Sequence, residues 1–221
     1  MRKNNQLISR ALVLVGTALV AAAAFGVADA EESGALYHFG TNAKHTNIAF
    51  VSEAEIETIH GTTHEMSGTF FVDFDALTGK CKLVVPVKGL HTGIEKRDEH
   101  LQSDAWLDAA KNPEITLTCS EIKLTEKKAG RVYSAKLKAK LTVHGVTKER
   151  ELDATIIRLP AKLGKKMGAG DWVKVTSRFD VEFDDHGITI PNAEQVGPKV
   201  SKTWSVSVSV FATTEAPRRK R

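Results

Sequence analysis

Histidine is the residue type here best suited to hold a metal ion or haem, and the sequence contains eight. His60 and His64 are spaced i, i+4, which brings two imidazoles to one metal only on a helix. Gly61, Thr62 and Thr63 lie between them and favour a turn. No H-E-x-x-H, C-x-x-C or EF-hand string is present. We therefore expect no metal site and interpret the histidines as surface or loop residues.

The run Arg97-Asp98-Glu99-His100 is the densest group of acid and base side chains. Four consecutive residues at a helix start cannot all face one pocket. We interpret Asp98 as stabilising the first helical turn and expect Arg97 to pair with a carboxylate of a strand or loop. No G-x-S-x-G string and no Cys/His pair at catalytic spacing occurs. The sequence predicts a protein that is not an enzyme, with no catalytic residues and no cofactor.

Cys81 and Cys119 are the two cysteines of the chain. Each shares the parity of the apolar residues in its predicted strand, and antiparallel pairing of 81–88 with 114–121 would bring the two together at one end. We expect a Cys81–Cys119 disulfide in an oxidising compartment. Two buried thiols are the alternative, because the pattern does not fix the register to a single residue.

The first thirty residues have the pattern of a secretory signal peptide. Arg2, Lys3 and Arg10 precede an uncharged apolar run over 11–27, and Ala28-Asp29-Ala30 fits a cleavage site. A membrane anchor is the alternative, although the run is at the lower edge of the length needed to span a bilayer. We expect cleavage, export and a periplasmic protein.

The formal charge of +4 originates at the ends of the chain. Residues 31–217 alone carry a net charge of −2, and the basic residues Arg218, Arg219, Lys220 and Arg221 follow them. A basic body, as in proteins that bind nucleic acid, is absent, so we expect no nucleic-acid partner. Lysines on outer strand faces and the basic tail are suited to transient contact with an anionic membrane surface.

Alternating apolar and polar residues predict strands throughout the mature chain. The clearest is 133–143, where apolar residues alternate with serine, lysine and threonine. His144-Gly145 predicts a tight hairpin turn, the one good helix candidate begins at Glu95 and ends before Pro113, and 161–170 is interpreted as a surface loop. The other predicted strands are 36–40, 45–52, 68–74, 83–87, 115–119, 152–156, 173–183 and 204–210.

Some eight to ten antiparallel strands with one apolar face each must form a closed barrel or a sandwich. A barrel of about eight strands has room for packed side chains or for one ligand. The pattern alone does not choose between barrel and sandwich. We predict a signal peptide over 1–30, one β-domain over 31–214 and a basic disordered tail over 215–221.

Three strings in series resemble the YceI family of periplasmic lipocalin-like proteins. They are T-G-I-E-K-R-D-E-H-L at 92–101, K-N-P-E-I-T at 111–116 and L-T-V-H-G-V-T-K at 141–148. The resemblance covers about 36–212. It implies an all-β fold, an extended eight-stranded antiparallel barrel with one short helix between strands, around a long apolar cavity. It also implies binding of an isoprenoid lipid, such as an isoprenoid quinone or a polyprenyl phosphate.

The sequence departs from the family pattern in three places. His45-Thr46-Asn47-Ile48-Ala49-Phe50 stands where the family usually has H-S-x-I-x-F. Glu53, Glu55 and Glu57 stand where the family more often has an apolar stretch, and Asp184-Asp185-His186-Gly187-Ile188 replaces D-F-G-I. These changes leave the expected fold intact. They affect the mouth of the barrel, and therefore the identity of the ligand.

The residues expected to line the ligand site are those of inward parity. In addition, the helix residues Leu101, Trp106 and Leu107 are expected to close one end. Two other interpretations remain: a ligand-free structural or stress-response barrel, and, less favoured, a histidine-based metal or haem protein. The oligomeric state stays open, a homodimer included. The predicted lining residues on strands are Phe50, Phe70, Val72, Leu83, Val85, Ile115, Leu117, Leu137, Phe179 and Val206.

Overall fold

The computed structural model describes residues 33–40 and 45–217, so the predicted signal peptide and Arg218 to Arg221 lie outside the described residues. No helix within the described part of the chain is long and apolar enough to cross a membrane. The strands are β1 (Ala35–Phe39), β2 (Asn47–Glu53), β3 (Thr58–Thr63), β4 (Ser67–Asp73), β5 (Thr78–Pro86), β6 (Glu114–Lys128), β7 (Val132–Val143), β8 (Val146–Arg158), β9 (Trp172–Glu182) and β10 (Thr203–Thr213). The α-helices are α1 (Glu95–Gln102), α2 (Ala161–Met167) and α3 (Ala193–Val196).

Eight of these strands form a closed antiparallel barrel. Strands β4 to β10 pair in chain order, and β1 closes the ring by pairing with both β4 and β10. The hairpin β2–β3 is added to the half of β10 that β1 leaves free, and a bridge from Thr62 to His91 joins β3 to the connection that follows β5. The predicted eight-stranded barrel is confirmed, and the sandwich is excluded.

The β7–β8 hairpin is the most regular part of the barrel. Its pairing runs without interruption from Val132–Ile157 to Val143–Val146. His144 and Gly145 have φ values of 50° and 73°, the positive values that a two-residue hairpin turn requires. The predicted tight turn is confirmed.

The two ends of the barrel differ in which connections they carry. The α1 end holds the β2–β3, β5–β6, β7–β8 and β9–β10 connections, and the α2 end holds the β4–β5, β6–β7 and β8–β9 connections. Ser33 and Pro217, the outer limits of the described chain, both lie at the α2 end, since Ser33 binds Asp73 and Pro217 follows β10. Tyr37, Tyr133 and their neighbours pack densely inside this end.

Three local predictions were wrong. The helix predicted to run from Glu95 to just before Pro113 ends at Gln102, and turns follow it over 103–113. The segment between His60 and His64 is not a turn but part of β3, where Gly61 faces inward. A Cβ at Gly61 would lie 1.9 Å from the Phe50 ring, so a glycine is needed there for packing. The predicted surface loop over 161–170 begins instead with α2 (Ala161–Met167).

Candidate functional site

A narrow cavity of about 160 Å³ occupies the barrel interior from the α1 end to about the middle. Its wall consists of the inward residues of the strands and is apolar apart from the Ser177 hydroxyl and the Cys81 thiol. The Ser177 hydroxyl donates a 2.6 Å hydrogen bond to the Asp153 carbonyl, so it is already satisfied. The lining residues are Phe39, Ile48, Phe50, Cys81, Leu83, Val85, Leu90, Leu107, Ile115, Leu117, Leu137, Leu141, Val143, Leu152, Ala154, Val175, Ser177, Phe179, Val181, Phe183, Trp204, Val206, Val208 and Val210.

Most of the predicted lining residues lie on this wall, and four do not. Phe70 and Val72 are buried inside the barrel toward the α2 end and are not among the residues that line the cavity. Leu101 and Trp106 lie outside the cavity and line a groove described below. The predicted residues that line the cavity are Phe50, Leu83, Val85, Leu107, Ile115, Leu117, Leu137, Phe179 and Val206.

An aromatic cluster of Phe50, Trp106, Phe183 and Trp204 closes the cavity at the α1 end. Trp204 stacks on Phe50 with ring centroids 4.8 Å apart and planes 3° from parallel. Phe183 lies 4.8 Å from Trp204 and 6.0 Å from Trp106. The Trp204 indole N–H donates to the Ser201 carbonyl at 3.0 Å, which fixes the orientation of the ring.

An outer groove of about 540 Å³ lies on the other side of this cluster, between α1 and the segment around α3. Trp204 lines both the groove and the cavity. The groove walls are amphiphilic: Ile59, Leu101 and Val200 contribute apolar surface, and Arg97 is among the polar side chains. The sequence did not predict this groove, because its residues come from distant connections without a shared periodicity.

Polar contacts of Asp98 and Arg97 hold α1 against the barrel. The Asp98 carboxylate accepts the backbone N–H of Thr92 at 2.7 Å and the Thr92 hydroxyl at 2.5 Å. His91 Nδ1 lies 3.4 Å from the same carboxylate. Burial raises the pKa of Asp98, but the hydrogen bonds from Thr92 and the contact with His91 outweigh it, so the pKa lies below its usual value. The Arg97 guanidinium binds Glu57 at 2.8 Å, which confirms the expected pairing with a loop carboxylate.

Cys81 and Cys119 are free thiols in the structure, in contrast to the expected disulfide. They are nevertheless direct partners across β5 and β6, and their side chains are hydrogen-bonded. The hydrogen bond with Cys119 lowers the pKa of Cys81, while the same bond and burial raise the pKa of Cys119. The Cys81–Cys119 disulfide stays a prediction.

Several histidines have structural contacts. Among the described residues, no group of three or more His, Cys, Asp or Glu side chains is arranged to hold a metal ion. His64 Nδ1 donates to the Thr46 carbonyl at 2.6 Å, and His60 is exposed on β3. His186 is fully buried and donates from Nδ1 to the Val146 carbonyl at 3.0 Å, which ties the β9–β10 connection to the β7–β8 turn.

A family model described as a YceI-like domain matches residues 39–212. The chain belongs to the YceI-like family. A UPF0312 protein of Pectobacterium atrosepticum is 31% identical over 192 residues, which cover 83% of this chain and 87% of that protein. A UPF0312 protein of Pseudomonas savastanoi is 32% identical over 151 residues, which cover 66% of this chain and 71% of the relative.

Solved structures of low sequence identity share the YceI-like fold. BcnA of Burkholderia cenocepacia has a TM-score of 0.63 at 14% identity and covers 78% of this chain and 99% of its own. A polyisoprenoid-binding domain from Saccharophagus degradans has a TM-score of 0.61 at 17% identity, with coverages of 80% and 97%. The YCEI protein of Campylobacter jejuni has a TM-score of 0.58 at 22% sequence identity and covers 74% of this chain and 90% of its own. At these sequence identities, the comparison shows that this chain and the three solved structures share a fold.

Proposed function

We propose that this protein is exported to the periplasm and binds an isoprenoid lipid, a polyprenyl chain or an isoprenoid quinone, for storage or transfer. The observation that carries the proposal is the cavity: an apolar space inside the barrel that shares Trp204 with an amphiphilic groove. An apolar cavity next to an amphiphilic groove suits a ligand with a long hydrocarbon tail and a small polar headgroup. The proposal describes a binding protein and assigns no catalytic step.

The cavity wall selects for hydrocarbon because it has almost no polar group to offer. The hydroxyl of Ser177 is bound to a backbone carbonyl, so a polar ligand group inside the barrel would lose its hydrogen bonds to water without replacement. Each buried CH₂ group contributes about 0.8 kcal/mol. A tail of several isoprene units therefore gains affinity from burial alone.

The headgroup is assigned to the outer groove. Arg97, His100 and Lys199 provide positive or polar groups there, and Asn192 provides an amide. A phosphate or a quinone ring in the groove would remain partly hydrated while its tail passes Trp204. The cavity, at about 160 Å³, is smaller than the roughly 300–1,000 Å³ of sites for drug-sized ligands. A long tail therefore requires movement of the aromatic cluster and of wall side chains.

The relatives support the assignment through the Saccharophagus degradans domain, whose description names polyisoprenoid binding. The wall of this chain is chemically consistent with that ligand class. The departures from the family pattern at Glu53, Glu55 and Glu57 lie in and beside the β2–β3 turn at the α1 end. They bear on the headgroup and leave the apolar cavity wall unaffected.

The test is native mass spectrometry of the protein purified from bacterial cells that synthesise isoprenoids, followed by organic extraction. We expect an adduct whose extracted mass matches a polyprenyl lipid or an isoprenoid quinone. The matched control is Ala154→Phe, which fills the cavity from its own wall and should lose the adduct. A mass equal to that of the bare chain in every preparation would contradict the proposal and favour a ligand-free structural protein. Stoichiometric metal would instead favour a metal protein.

A further inference from the structure

The charge of the molecule is distributed unevenly along the barrel axis. The α1-end connections, 54–57, 87–113, 144–145 and 183–202, hold ten acidic and six basic residues. The α2-end connections, 74–77, 129–131, 159–171 and 214–217, hold three acidic and four basic residues. The four basic residues are Arg131, Lys162, Lys165 and Lys166, and all are exposed, as are Lys127, Lys128 and Arg158 at the adjoining ends of β6 and β8.

Helix α2 concentrates this charge on one short element. Gly164 faces the barrel, where a Cβ would lie 3.2 Å from the Trp172 ring, so the helix packs closely on that ring. The close packing leaves Lys162, Lys165 and Lys166 exposed, together with Leu163, whose exposed fraction is 51%. An exposed leucine among three lysines has the composition of a segment that lies on a membrane surface.

These lysines also differ from those on the barrel wall. Lys136 and Lys138 lie 2.7 Å from Asp153 and Glu121, and Lys140 lies 3.6 Å from Glu149. Within the part of the chain that the structure describes, the α2 lysines have no such carboxylate partner. Their charge is therefore available to an external anion.

We propose that the α2 end docks on an anionic lipid bilayer, through Lys162, Lys165 and Lys166 with Leu163 entering the interface. The four basic residues that follow Pro217 in the sequence would add their charge to the attraction. In this orientation the acidic α1 end, with the outer groove, points away from the bilayer. The protein is thereby held at a membrane surface while its ligand entrance faces the aqueous space. This inference does not depend on the nature of the cavity ligand.

The experiment is co-sedimentation of the purified protein with vesicles of phosphatidylglycerol and phosphatidylcholine, compared with phosphatidylcholine alone. Each lysine near an anionic surface contributes about a fivefold change in affinity. The triple variant K162Q/K165Q/K166Q should therefore bind the anionic vesicles roughly 100-fold more weakly, and Leu163→Ser should weaken binding further. Salt at about 0.5 M should reduce the binding of the unaltered protein.

The matched control is K136Q/K138Q/K140Q, which removes the same charge from the barrel wall and should retain binding. An equal loss in both triple variants would mean that binding follows net charge and would overturn the proposal. Loss in Ile56→Ser or Ile94→Ser, exposed residues of the α1 end, with none in the α2 triple variant, would assign docking to the opposite end. Loss only when 218–221 are deleted would assign it to the tail and contradict a role for α2.

Discussion

Cys81 and Cys119 lie directly opposite each other on β5 and β6, and their thiols are hydrogen-bonded. Opposed residues of an antiparallel pair have Cα atoms about 4.5–5.5 Å apart. This range falls within the roughly 4.4–6.8 Å that disulfides span. The two sulfurs can therefore be joined without sliding one strand past the other.

We expect mild oxidation of the folded protein to form the Cys81–Cys119 disulfide. The bond would close a loop of about 38 residues and stabilise the protein by about 4 kcal/mol in the chain-entropy account. The measurement is thiol counting in denaturant, paired with urea unfolding with and without reductant. Cys119→Ser serves as the control, and its unfolding should not respond to reductant. Two free thiols after oxidation of the folded protein would contradict the prediction.

The register of this pair is an example of what the sequence could not supply. The alternation of apolar and polar residues predicted that Cys81 and Cys119 lie on the inward faces of neighbouring strands, and the structure agrees. The pairing between β5 and β6 shifts between Gly79 and Cys81, however, and the β6–β7 pairing shifts between Cys119 and Glu121. Such bulges leave no periodic signal in the sequence, so the two thiols could be predicted to be near each other but not directly opposed.

Height along the barrel axis was the second quantity missing from the sequence. The alternation of apolar and polar residues correctly predicts that Phe50 and Phe70 both face the barrel interior. Only Phe50 lines the cavity, because the pairing of β4 with β1 places Phe70 nearer the α2 end. Strand β3 was missed because Gly61 and Thr63 occupy its inward positions, where an alternating pattern would show apolar residues. The parity of a side chain was thus predictable from its own strand, whereas its depth depended on strand pairing.

Ala154 provides a test of the cavity as the ligand site. It lies on the cavity wall and is 7% exposed, so Ala154→Phe places a ring in the space that a lipid tail would occupy. We expect binding of a long-chain polyprenyl lipid to fall at least tenfold, with short analogues less affected. The measurement is titration with isoprenoids of increasing length, monitored by tryptophan fluorescence.

The control for this substitution is Ala139→Leu. Ala139 is buried but does not line the cavity, so overpacking costs stability, about 1–3 kcal/mol, without filling the ligand space. Urea unfolding measures the stability of both variants. Equal loss of lipid binding in both would show that the effect of Ala154→Phe reflects damage to the fold.

On the proposed route, Trp204 controls passage of the ligand between the groove and the cavity. Its ring lies between Phe50 and Phe183 and lines both spaces. We expect Trp204→Ala to speed the transfer of a fluorescent isoprenoid to acceptor vesicles several-fold, while it destabilises the fold by about 3–5 kcal/mol. Trp204→Phe keeps an aromatic ring and should retain most of the stability. A transfer rate that is unchanged in both variants would exclude this route.

The lowered pKa of Asp98 predicts that the packing of α1 against the barrel depends on pH. Its pKa lies below the usual value because Thr92 and His91 outweigh the effect of burial. A carboxyl with a lowered folded-state pKa stabilises the fold above its unfolded-state pKa, about 3.9, and this contribution is lost as the pH falls through the lower folded-state value. Asp98→Asn should therefore reduce the free energy of unfolding at pH 7 by about 1–3 kcal/mol.

The difference between Asp98→Asn and the unaltered protein should shrink as the pH falls below about 4, because the native carboxyl then becomes neutral as well. Glu99→Gln is the matched control, since Glu99 is exposed and pairs with the exposed Lys96. Pairs of this kind contribute roughly 0–1 kcal/mol, so its unfolding free energy should change little. Urea unfolding at pH 7 and pH 3 measures both variants. If the Asp98→Asn difference were the same at the two values, its cause would be a change of packing and not the lost carboxylate.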